Sequence, residues 1–139
     1  MKKIIPLLIF AFVTLTSCST DDDPTVFYEI LEITQVSDAP QTFTVGQSDT
    51  LQVSYKRPSS CHGLQGFDVR RDGEIRNIAI IGVVFEDSSA NCENLDNDIR
   101  TTPIIFKPEV TGDITLNFFA GDNTDGVPEY ITLTIPVIE

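Results

Sequence analysis

The sequence predicts an all-β domain, with about seven antiparallel strands in a two-sheet sandwich and a small β-barrel as the alternative. Three observations lead there. From residue 26 onward the chain is rich in Val, Ile, Thr and Phe, residues that fit a pleated, half-buried surface. They come in short alternating runs, divided by Gly, Pro, Asp and Asn every 8–12 residues or so. No stretch beyond residue 18 sustains the period of an amphipathic helix.

The first expected strand, 26–35, alternates imperfectly around Glu29-Ile30-Leu31-Glu32, which marks a bulge or an edge. Ser37-Asp38-Ala39-Pro40 breaks it, and residues 42–45 offer a short strand before Gly46. Residues 50–56 send Leu51, Val53 and Tyr55 one way and Gln52, Ser54 and Lys56 the other. Runs 64–71 and 74–85 flank Asp72-Gly73, a two-residue hairpin signal. That loop places Arg71 opposite Glu74, Phe67 opposite Ile78 and Cys61 opposite Val84. Phe67, Val69, Ile78, Ile80 and Val84 then share the core face. The other face is polar at the tip and carries Leu64, Ile81, Val83 and Phe85 at the base, which is expected to be covered on both sides. Strands follow at 101–107, at 114–120 with Ile114, Leu116 and Phe118 alternating, and at 129–138. In the last, Ile131, Leu133, Ile135 and Val137 point inward, and Tyr130, Thr132 and Thr134 outward.

Seven such strands in roughly 115 residues resemble an immunoglobulin-like sandwich. The likeness is architectural, because the chain has no Trp and neither later cysteine lies inside an expected strand. Strands that alternate in direction obey a parity rule. The connection holding Cys61, the acidic stretch 86–97 holding Cys92 and the turn 121–126 should sit at the end where the first strand starts. The Asp72-Gly73 turn, the turn 108–113 and Glu139 should sit at the other.

The N-terminus reads as an address. Lys2 and Lys3 precede an apolar run at 4–14, too short to span a membrane, and small residues lead to a cysteine. Leu15-Thr16-Ser17-Cys18 resembles the lipobox of bacterial lipoproteins. The resemblance implies that residues 1–17 are a signal peptide that is removed and that Cys18 carries lipid through its thiol. Asp21, Asp22 and Asp23 resemble the surface-export signal of Bacteroidetes-type lipoproteins, which implies a place on the outer membrane at the cell surface. Residues 18–25 are then a lipidated acidic linker and 26–139 the sandwich. Taken whole, the chain resembles small one-domain lipoproteins of that group, many without an assigned function.

Taking 17 residues from 139 leaves 122, with seven Lys+Arg against 21 Asp+Glu, a net charge of −14. That is one domain with room for a core. Its charge disfavours nucleic acid and anionic lipid surfaces as partners and permits cations and basic proteins. The lipid on Cys18 is the expected membrane attachment. Cys61 and Cys92, two cysteines in an exported domain, are expected to form a disulfide.

Chemistry-bearing patterns are few. Cys61-His62 juxtaposes a thiol and an imidazole, but neighbours on an extended chain point to opposite sides, so the expectation is a bridged cysteine beside a surface histidine. The turn 121–126 places Asn123 and Asp125, with Asp122 nearby, at calcium-loop positions. Gly121 and Thr132 fall where the first Asp and the bidentate Glu should be, so a plain turn is expected. Glu86, Asp87, Glu93, Asp96 and Asp98 form an acidic loop. No phosphate-binding loop or metal-type spacing implies a cofactor. The expected function is that of a non-catalytic, lipid-anchored module that binds a protein or glycan or serves the envelope structurally. A calcium-dependent module using the acidic loops is the second reading. Exposed aromatics clustered on one sheet would favour a glycan.

Overall fold

The computed structural model describes residues 25–86 and 91–139. These form nine strands and no helix: β1 (Thr25–Leu31), β2 (Ile33–Ser37), β3 (Phe43–Thr44), β4 (Asp49–Lys56), β5 (His62–Asp72), β6 (Ile75–Glu86), β7 (Ile99–Phe106), β8 (Gly112–Asp122) and β9 (Pro128–Ile138). Nine replaces the expected seven because the first strand divides into β1 and β2, and the short run at Phe43 counts as β3. The strands make two sheets, and no barrel closes. The smaller sheet is β2-β4-β7, antiparallel throughout. In the larger sheet β5 covers one edge of β6, while β1 and β8 share the other edge, followed by β9 and β3.

The alternating faces meet in one core. Leu51, Val53 and Tyr55 of β4 and Ile104 of β7 pack with Ile78, Ile80, Leu116, Phe118, Ile135 and Val137 of the larger sheet. Each buried aliphatic or aromatic side chain contributes roughly 1.5–3 kcal/mol. β5 is covered thinly. The smaller sheet is only three strands wide, so Phe67 is half-buried and Val69 stays 40% exposed.

The chain crosses between sheets at Glu32. Leu31 and Ile33 on either side are buried, one in each sheet. Two glycines admit the crossing. A Cβ on Gly82 would lie 2.9 Å from Leu31, and one on Gly121 would lie 3.1 Å from Glu32.

The hairpin register differs from the expected one by two residues. The loop is Gly73-Glu74, with Gly73 at φ 58°, so Asp72 pairs with Ile75, Arg71 with Arg76 and Phe67 with Ile80. Glycine at positive φ in the first loop position suits the type II′ turn that joins twisted strands. A two-residue slip keeps every side chain on its face, so the expected core face survives. Gln65 is then an extra residue between Leu64 and Gly66. This bulge turns Leu64 to the inner side and sets Cys61 opposite Phe85, whose N–H donates to the Cys61 carbonyl at 3.2 Å.

The two ends are as parity demands. Gly46 N–H donates to Pro108 O, Val45 N–H to Ile138 O and Thr115 N–H to Glu74 O, which gathers both turns and the C-terminus at one end. Thr25, Cys61, Cys92 and Glu86 lie at the other. β8 runs parallel to β6, toward that end, and carries the turn after Asp122 there.

Candidate functional site

The edge of β6 changes partner at Ala79. Residues 80–86 pair with β1 and residues 75–78 with β8. Just there β1 leaves for the other sheet, and the β8–β9 pair shifts register at Ala120. The split opens a cleft of about 430 Å³ on the outer face of the larger sheet. Phe119 and Tyr130 form one wall, edge to face with centroids 6.1 Å apart, and Ile30 forms the other. Asn77 and Ala79 make the floor. Asp68 and Arg70, paired at 3.0 Å, stand on the rim. A ladder fixes the floor: Asn117 Nδ2 donates to Asn77 Oδ1 at 3.1 Å, and Thr132 Oγ1 donates to Asn117 Oδ1 at 2.9 Å.

The aromatic face extends past the cleft. Tyr28 is 62% exposed, Phe85 50% and Tyr130 46%. Tyr28 and Phe85 share the outer side with Ile30, because Val26 pairs with Phe85 and Ile30 with Ile81. The hairpin base is thus not covered on both sides as expected. Val83 is buried there, but Phe85 is open and Leu64 has turned away. Flat apolar rings beside fixed amide, carboxylate and guanidinium groups suit a ligand with both apolar faces and polar edges.

Cys61 and Cys92 are bridged, with Cα atoms 5.3 Å apart. Cys18, Asp21, Asp22 and Asp23 lie outside the described residues, as does Asp87. In the 121–126 turn Asn123 Oδ1 accepts the N–H groups of Asp125 and Val127 at 2.9 and 3.0 Å. That oxygen closes the turn itself, an Asx-type role. Asp122 lines the aromatic cleft instead. Among the described residues, no three His, Cys, Asp or Glu side chains converge as a metal site. No helix there is long and apolar enough to cross a membrane.

His62 is not the surface residue the sequence suggests. Its side chain is 11% exposed, with Nδ1 2.7 Å from Ser59 Oγ and Nε2 2.5 Å from Glu29 Oε1. A carboxylate only accepts, so Nε2 carries a proton and, in the neutral ring, Nδ1 accepts from the Ser59 hydroxyl. The series has the order of a nucleophile, base and orienter. Ser59 is only 7% exposed, however, and its Oγ also accepts the Cys61 N–H at 3.2 Å. The N–H groups of Ser60 and His62 go to Glu93 O and Ser59 O, so these donors are not free for an oxyanion. What the series does is clasp the disulfide loop to β1. Beside it Asp98 pairs with Arg57 at 2.5 Å and Arg100 at 3.0 Å. Partial burial opposes ionisation of Asp98, but the two guanidiniums outweigh it and hold the carboxyl below its ordinary value.

Set beside known proteins, the chain matches no protein-family model, no curated protein and no solved structure.

Proposed function

We propose that this chain is a lipid-anchored, non-catalytic binding module of the cell envelope, whose outer aromatic face takes a glycan. The anchor rests on residues 15–23, with Cys18 lipidated and Asp21, Asp22 and Asp23 directing the protein outward. The folded part reads as an immunoglobulin-like variant: β6 and β8 run parallel where an immunoglobulin sheet keeps neighbours antiparallel. The observation that carries the glycan reading is the row of Tyr28, Phe85, Phe119 and Tyr130 on one side of one sheet, next to Asp68, Arg70 and Asn77. Large exposed apolar patches on a monomer mark interaction sites. Sugar rings present apolar faces to aromatic rings and hydroxyl edges to fixed polar groups, which is what this surface offers.

Affinity electrophoresis through gels containing neutral polysaccharides tests this. At least one polysaccharide should retard the protein, and Tyr130→Ala should restore free mobility. Free mobility of the native protein across plant, fungal and bacterial polysaccharides would end the glycan reading.

A further inference from the structure

Arg71 and Arg76 face each other directly across the β5–β6 hairpin, on its inner side. Like charges in that relation are destabilising. The loop causes it, since Asp72-Gly73 would have given Arg71 a glutamate. Arg76 Nη1 donates to the carbonyls of Gly73 and Ile75, neither of which carries a compensating charge. Among the described residues neither arginine has a carboxylate within ion-pair distance, nor has Lys107 at the end of β7. Arg57, Arg70 and Arg100 are all paired. In so acidic a protein, three of the four cations left unpaired among the described residues meet around one cleft of about 340 Å³ between the sheets, at the end opposite the disulfide. Val69, Ile104 and Phe106 form its apolar wall.

We propose that this cleft binds a small amphipathic monoanion, a carboxylate head on an apolar body. The head lies between Arg71, Arg76 and Lys107, and its charge relieves the opposition between the two guanidiniums. The body covers Val69, whose exposure the narrow smaller sheet leaves uncorrected. The volume is near the lower end of the range of about 300–1,000 Å³ for small-molecule pockets. Glu109 also lines the cleft, outside ion-pair distance of the three cations, and Glu74 and Asp113 line a smaller pocket next to it that Arg76 shares. These acids and the overall negative charge select against a multiply charged head such as phosphate.

Titration calorimetry tests the site, using the chain without residues 1–18, which keeps every described strand. Decanoate, decanol and acetate are the probes, each below the concentration at which decanoate aggregates. Decanoate should bind saturably, with decanol and acetate each weaker by about tenfold or more. Arg71→Gln with Arg76→Gln should weaken decanoate by about tenfold or more, yet leave the free protein at least as stable, because the like-charge pair is gone. If that variant fails to fold, Lys107→Gln provides the same readout, with decanoate weakened by roughly threefold or more. Decanoate binding no tighter than decanol or acetate overturns the proposal, as does decanoate affinity unchanged in the folded variant.

Discussion

Gly82 and Leu31 illustrate how a single missing methyl group sets the crossing between sheets. Leu31 leans over Gly82 into the core, and a Cβ there would meet its Cγ and Cδ1 at 2.9 Å. Both residues are buried, so neither can move cheaply. Gly82→Ala should therefore cost about 1–3 kcal/mol of stability, read as a lower urea midpoint with an unchanged slope. Nothing in the sequence flags this glycine, because its partner comes from a strand some 50 residues earlier. Glu29 was missed although a signal for it existed. It stands in the inward register between Phe27 and Leu31, where a lone acid needs a partner, and the chain has one histidine. Asp98 makes stability depend on pH. Its lowered value means the stabilisation is present above the ordinary value of 3.8 and fades as pH falls through the lowered one. Asp98→Asn should thus be less stable than the native protein at pH 7, and urea midpoints of the two should converge as the pH falls below the lowered value.

At the scale of elements, the faces of strands were easier to read than their neighbours. Alternation set Leu51, Val53, Tyr55, Ile114, Leu116, Phe118, Ile131, Leu133, Ile135 and Val137 on the core faces; Ile114, Ile131 and Leu133 are half-buried and the rest are buried. It also set Tyr130 outward, and the cleft uses that residue. The hairpin turn was displaced by one residue because Gly73 can open the loop as well as close it. The bulge at Gln65 was invisible, since it answers to the partner strand. Irregular alternation near Glu32 was visible, but the change of sheet was not. The approximate pairing nevertheless brought Cys61 close to the loop of Cys92, and the bridge exists. Its sequence separation is 31, so replacing both cysteines by alanine should cost roughly 2–4 kcal/mol. Equilibrium unfolding measures this. The same loss should follow reduction of the native protein, which separates the bridge from any effect of the alanines.

At the scale of the whole molecule, the fold has two distinct ends. Parity of strand direction was enough to foresee which turns gather at each, and it also explains why β6 and β8, two strands running back toward the same end, are parallel where they meet. Thr25 enters at the disulfide end, so the N-terminal attachment proposed for Cys18 leaves the Gly73 turn, the 108–112 turn and the C-terminus facing away from the membrane. The pocket chemistry was not legible, because it depends on which unpaired cations meet in space. If Asp21, Asp22 and Asp23 direct export, changing all three to Ala should keep the protein membrane-bound but shield it from protease added to intact cells. Anchoring itself is the claim on which this orientation depends. Mass spectrometry of the N-terminal peptide of the native protein tests it most directly. Cys18 should be the first residue and carry a diacylglycerol thioether; a mature start elsewhere, or a free thiol at Cys18, would contradict it.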